Sequence, residues 1–504
     1  MDTTLRDGEQ TPGISFTVED KVKIALLLEE FGVDLIEGGY PGASPKDMEF
    51  FKVMRSYSLT RSKLAAFTAT RRPKTKAETD EGLNAVLDSG VEVAVVYGKA
   101  WDLHVVNVLK TSLEENINMI YDSVSYLRSH GLRVIFDAEH FYQGYLENRG
   151  YALEVLKAAM EAGADTLVLC DTNGGMLPEG VYKITKRVVK EFGSKVKVGA
   201  HMHDDCGCAV ANTLEAVRAG ARHVQGTING LGERTGNADL VQVIPGIAFK
   251  LGFKVLKNEN GLRRLKEVSR FVYEISGLKP DPRQPYVGEH AFRHKAGTHI
   301  DAVLKSPRAY EHVDPELVGS TRSFEITHLS GSSAIAFMAS QLLGKELSKA
   351  DSRAKNVLLK IKKMETEGYS FSEAQTMVSL LVLEEYCRRP QLLTFNERLA
   401  IVQNAIKAVS KQGELDFFET IVDAISSRLE DFNSSVKIKE VSVRKIKDSY
   451  RVTVVTNNGT FQRVSRDLFE ALLKAVEDAV VYEMFERDKT KLCVDGEVVG
   501  EVYG

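Results

Sequence analysis

Apolar positions along the first half of the chain fall into two alternating patterns. Short β-type runs occur at 3–6, 34–37, 63–69, 91–97, 133–137, 166–170, 195–200 and 223–228, and helical patterns with three- and four-residue spacing lie between them. The helical stretches stand out at 18–31, 113–128, 152–161, 181–192 and 209–219. Thr17-Val18-Glu19-Asp20 reads as a capping box for the first of these, and Gly32, Gly90, Gly131, Gly163 and Gly220 each stand between a helix and the next strand, as C-caps. Eight β/α units predict an α/β chain whose residues 1–255 form a (β/α)8 TIM barrel.

Beyond that point the alternation ends. A helix is expected at 262–275, followed by a connector carrying Pro280, Pro282 and Pro285, and residues 256–347 read as a linker and flap subdomain that completes the active site. Residues 348–504 read as a mainly helical region, including 391–429, with a small α+β domain. That domain shows two alternating runs, 436–446 and 450–456, turned by Asn457-Asn458-Gly459, and a helix from 467 to 482.

Composition narrows the function classes. With 504 residues, 43% of them hydrophobic, the chain can bury large cores. A net charge of −4 with acids and bases interspersed offers no basic stripe for nucleic acid, and no apolar run approaches the roughly 18 residues that span a membrane. No secretory leader is visible, and five scattered cysteines suit a reducing compartment, so a cytoplasmic location is expected. Cys206 and Cys208 read as small buried residues at a helix start.

Candidate chemistry centres on Gly199-Ala200-His201-Met202-His203-Asp204-Asp205-Cys206-Gly207. Residues i and i+2 of a strand share a face, so His201 and His203 can converge on a metal ion; alternatively they are strand-end histidines bonded to neighbouring carbonyls. Asp7 and Asn237 offer oxygen partners, and a mixed nitrogen and oxygen shell suits Mn²⁺, Mg²⁺ or a catalytic Zn²⁺. In the barrel frame Arg6, Asp7, Glu37, Glu139, Asp171, Thr172, His201, His203, Glu233 and Asn237 all fall at the C-terminal rim, where such barrels keep their active sites. His290, His294 and His299 lie in the flap segment. A metal that chelates an α-keto acid, Arg6 against the developing alkoxide, and Glu139 or a flap histidine as base add up to a metal-assisted carbonyl reaction. Condensation, cleavage and hydrolysis remain open at this level.

Three separated motifs then supply a resemblance: Asp2-Thr3-Thr4-Leu5-Arg6-Asp7-Gly8-Glu9-Gln10, His201-Met202-His203, and Gly230-Leu231-Gly232-Glu233-Arg234-Thr235-Gly236-Asn237. Together they resemble the metal-dependent acyl-CoA-condensing barrels, the isopropylmalate, homocitrate and citramalate synthases and related lyases. The resemblance covers about residues 1–380. It implies Asp7, His201 and His203 as metal ligands with Asn237 in or near the shell, Arg6 as polarising cation, Glu139 and Thr172 as substrate contacts, and acetyl-CoA as the nucleophile's source. It further implies His299, helped by Tyr310, as the base for the acetyl methyl group, a flap from the partner chain, and a homodimer.

Finer stretches, among them Phe136-Asp137-Ala138-Glu139-His140-Phe141 and Tyr310-Glu311-His312-Val313-Asp314, are similar to the citramalate branch of that family. They imply pyruvate as the acceptor, citramalate and CoA as products, and a place in isoleucine biosynthesis. An isopropylmalate-type synthase with another keto acid and a non-catalytic metal-binding barrel are the alternatives. Asp204 stands where the family usually has Asn and adds a negative charge beside the ligands. Only 436–482 looks like one half of the family's two-part regulatory domain.

Overall fold

The computed structural model describes residues 1–327, 330–348, 351–372, 374–387 and 436–492. The stretch 391–429, expected to be helical, lies outside these. The chain divides into two compact units, Met1–Phe292 with Val313–Thr321, and Arg293–His312 with Arg322 onward.

The first unit is a parallel barrel. Strands β1 (Leu35–Gly39), β2 (Lys63–Ala69), β3 (Val93–Lys99), β4 (Arg133–Glu139), β5 (Thr166–Asp171), β6 (Lys197–Met202) and β7 (His223–Gln225) pair in chain order. Its two edges meet at one residue. Asp2 bridges Ile36 on β1 and Gly226 beyond β7, with Asp2 N–H donating to Leu35 O and Glu37 N–H to Asp2 O, both at 2.9 Å.

The expected barrel is therefore present, with one correction: 3–6 is not a strand. The N–H groups of Arg6, Asp7 and Gly8 all donate back to Thr3 O, at 3.2, 2.8 and 3.1 Å. The cause is local. The Asp2 carboxylate accepts from Thr4 N–H at 2.9 Å and Thr4 Oγ1–H at 3.0 Å, an Asx turn that competes with the extended ladder. The turn thus ends the eighth stave at Thr3, whose N–H donates to Gly226 O at 2.9 Å, and it lifts Arg6 and Asp7 over the barrel mouth.

Helices fill the outside largely where the apolar period places them, at Val18–Phe31, Leu113–Ser129, Arg149–Glu161, Pro178–Phe192 and Ala209–Ala219 among others. The Thr17 and Asp20 capping box forms in full, and Gly32 ends that helix at φ 97°. Inward-facing residues stack inside the barrel: Leu35, Ala65, Val93, Val95, Ile135, Val168 and Cys170 form a buried apolar cluster. The helix expected at 262–275 runs from Leu265 to Ser276.

In the second unit, helices Ser332–Leu343, Ser352–Thr366 and Gln375–Tyr386 share a core with an antiparallel sheet, Ile438–Ile446, Ser449–Thr456 and Thr460–Ser465, and the helix Leu468–Leu492. Here Asn457 to Gly459 does not turn the first pair. Lys447 and Asp448 do, and Asn457 to Gly459 leads into a third strand. That strand hides in the sequence because Gln462 is buried, with its Nε2 donating to Thr453 Oγ1 at 3.0 Å and its Oε1 accepting from Ser370 N–H at 3.0 Å. No helix among the described residues is long and apolar enough to cross a membrane.

Candidate active site

β6 ends in the pair that opens the site. His201 and His203 point into the barrel from alternate positions, and their Nε2 atoms lie 3.3 Å apart. Asp7, delivered by the turn after Thr3, places Oδ2 3.2 Å from His201 Nε2. The three side chains are buried, and one ligand atom from each lies within 4.8 Å of the others. The carbonyl-bonded alternative for the histidines does not hold for His201, whose Nδ1 meets the Gln225 side chain at 2.8 Å.

Asn237 joins through the glycine-rich loop. It forms an isolated antiparallel bridge with His203. Its Nδ2 donates to Leu231 O at 3.0 Å, while its Oδ1 is buried without a partner. Gly232 is required here, since a Cβ on it would stand 2.1 Å from Asn237 Nδ2. Gly236, at φ 95°, meets the same limit against Gly230 O at 1.9 Å.

Arg6 lies beside the cluster. Its Nε donates to Glu37 Oε2 at 2.6 Å, its Nη1 is 3.2 Å from Asp7 Oδ1, and its guanidinium carbon sits 3.8 Å from the centre of the Phe67 ring. Burial alone would push the Asp7 carboxyl up, but Arg6 and His201 outweigh it and hold it below the usual carboxylate range. Burial, then the neighbouring His201, lowers His203 to about 4. Burial, then Glu37, lifts Asp137 to about 7. His203 therefore keeps one ring nitrogen unprotonated at neutral pH, with its lone pair open to a cation.

The remaining rim residues sort by their partners. Glu139 is ion-paired with Lys99, and Thr172 Oγ1 accepts the His140 N–H at 2.9 Å. Asp171 accepts from Gln143 Nε2 at 2.7 Å and Met176 N–H at 2.9 Å. Glu233 is exposed, 3.5 Å from Arg234. Asp204 spends its added charge on the Ala209 N–H at 2.7 Å, at the first residue of a helix. Cys206 is exposed and Cys208 half-buried, so they are not the buried pair expected, and both are free thiols.

His299 and Tyr310 lie in the second unit, both exposed, with rings stacked at 4.2 Å between centroids. His294 is held there by Glu311 at 3.2 Å, while His290 belongs to the first unit and is exposed. Sequence reasoning missed Phe67, Lys99, Asp137 and Gln225. The first three stand at inward positions near the ends of β2, β3 and β4, where alternation on each strand would have pointed to them.

The residues fit a divalent cation. Two imidazole nitrogens and a carboxylate oxygen converge in a buried space, and the unpartnered Asn237 Oδ1 lies on the residue bridged to His203. Comparison with known proteins agrees with that chemistry: residues 1–272 match the HMGL-like family model, and residues 286–369 match the homocitrate synthase post-HMGL domain-like model. The chain belongs to the HMGL-like family. This HMGL-like chain is 49% identical to the (R)-citramalate synthase of Sulfolobus acidocaldarius, over 99% of this chain and 98% of that protein. It is 40% identical to the (R)-citramalate synthase of Aquifex aeolicus, over 97% and 98%. Identity to the 2-isopropylmalate synthase of Methanocaldococcus jannaschii is 32%, over 97% and 95%. The resemblance read from the three motifs is borne out.

Proposed function

We propose that this chain is an (R)-citramalate synthase that condenses acetyl-CoA with pyruvate, giving citramalate and free CoA for isoleucine biosynthesis. The reading rests on the 49% identity spanning 99% of the chain. The convergence of Asp7, His201 and His203 beside Arg6 gives it a chemical basis.

A divalent ion held by Asp7, His201, His203 and Asn237 would supply Lewis acidity to the ketone of the keto acid. The Arg6 guanidinium stabilises negative charge on the ketone oxygen as the new carbon–carbon bond forms. Glu37 and Asp7 fix its orientation before substrate arrives, and the Phe67 face shields it from water. Glu139 and Thr172 contact the keto acid. His299 takes the proton from the acetyl methyl group, and Tyr310, stacked on it, orients the imidazole. Water then cleaves the thioester, which releases CoA. In this reading residues 256–347 are the flap subdomain, and the enzyme is a cytoplasmic homodimer.

The test is CoA thiol release with Mn²⁺ or Mg²⁺ and acetyl-CoA, comparing pyruvate with 2-oxoisovalerate, 2-oxobutyrate and 2-oxoglutarate. Preference for pyruvate is the expected result. Preference for 2-oxoisovalerate would transfer the chain to the isopropylmalate reaction, and no release with any of the four would overturn the proposal.

A further inference from the structure

Behind His201 runs a buried relay that the mechanism above does not use. Gln225 Oε1 lies 2.8 Å from His201 Nδ1, and Gln225 Nε2 donates to Asp137 Oδ1 at 2.9 Å. Gln225 is fully buried and Asp137 nearly so. All three stand on different strands, β6, β7 and β4.

The chemistry of the relay has a direction. The Asp137 carboxyl oxygen accepts from Gln225 Nε2, which turns the amide NH₂ toward β4 and its oxygen toward β6. An amide oxygen only accepts, so His201 must carry a proton on Nδ1. Nε2 then faces the cluster, 3.2 Å from Asp7 Oδ2 and 3.3 Å from His203 Nε2, as the nitrogen turned toward a cation. His203 has no equivalent, because its Nδ1 is buried without a partner.

We infer that Gln225, anchored by Asp137, is a positioning residue that fixes the tautomer and ring orientation of His201 for cation binding. The inference rests on the reading of Asp7, His201 and His203 as a cation site. An amide here takes the place that a carboxylate or carbonyl commonly holds behind a metal-bound histidine, where loss of the outer partner costs about 10- to 100-fold in affinity.

The experiment is Mn²⁺ binding to the full-length protein, followed by the electron paramagnetic resonance of free Mn²⁺, alongside thermal unfolding of the cation-free form. Gln225→Leu and Gln225→Met are expected to weaken binding about 10- to 100-fold. Gln225→Glu, sharing one proton with Asp137, keeps an oxygen acceptor for Nδ1–H, and Asp137→Asn keeps one for the amide, so both are expected to weaken binding by less than the about 10-fold that loss of an outer partner costs. A merely structural role would lower the unfolding temperature and leave the affinity of the folded fraction unchanged. Parent-like affinity in Gln225→Met would overturn the inference while leaving the cation site intact. A parent protein that binds no Mn²⁺ would overturn the site itself. Should Gln225→Leu not fold, the Met and Glu variants decide.

Discussion

Inside one barrel, two layers of side chains two residues apart on the same strands follow opposite rules. Leu35 and Ile135 belong to the lower layer, and Glu37 and Asp137 stand directly above them on β1 and β4, with His201 on β6 beside them. Both layers are buried. The lower one packs apolar groups against one another and stabilises the fold by removing that surface from water. The upper one holds Glu37 Oε1 without a partner, and Asn237 Oδ1 on the adjoining loop has none either, at a cost of about 1–3 kcal/mol for each such group. The difference teaches where this fold holds stability back: the upper layer is arranged for a guest, and its unmet polar atoms mark the place.

The sharpest way to break that comparison is to remove an upper-layer ligand. His201→Ala is expected to abolish divalent-cation binding and lower CoA release by roughly 10³-fold or more, since the cation supplies several kcal/mol of charge stabilisation. Next comes Arg6→Gln, expected to lower kcat about 10²- to 10³-fold with cation affinity little changed, as measured by steady-state kinetics and Mn²⁺ binding.

A carboxylate outside the barrel sharpens the contrast. Glu29 is also buried, yet it accepts from Thr60 N–H, Arg61 N–H, Ser62 N–H and Thr60 Oγ1–H at 2.6–2.9 Å. Burial opposes its charge, but the backbone donors outweigh that and bring it to about 2. Because the folded value lies below the unfolded value of 4.5, its contribution is present above pH 4.5 and is lost as pH falls toward 2. Glu29→Gln should therefore destabilise the protein at pH 7 by about 2 kcal/mol, with the difference shrinking in acid, as read by denaturant unfolding at each pH. Asp137, at about 7 in the upper layer, shows the reverse: its charge costs stability as pH rises from 3.8 through 7 in the cation-free protein. The smallest effect belongs to the lower layer. Ile135→Val should cost about 1 kcal/mol in the same unfolding experiment and leave kcat unchanged.

Much of the barrel was legible because its strands and helices differ in apolar period, and Gly32, Gly90, Gly131, Gly163 and Gly220 all adopt positive φ in the breaks between them. The first strand misled, because its apolar and polar alternation gives no sign of the Asx turn by which the Asp2 carboxylate takes Thr4 N–H and Oγ1–H out of the ladder. His201 and His203 stood out through their spacing and Asp7 through its motif, whereas Gln225 and Asp137 did not. Their roles depend on neighbours 88 residues apart in the chain, and an amide facing a carboxylate leaves no local signature. In the second unit, the buried Gln462 broke the alternation that marks a strand.

The measurement that tests the account most directly is a Mn²⁺ binding isotherm on the parent, His201→Ala and Ile135→Val proteins. The account predicts one ion per chain in the parent and in Ile135→Val, and none at this site in His201→Ala. Equal binding by the parent and His201→Ala would contradict it, because the upper layer would then be buried polar structure and not a cation site.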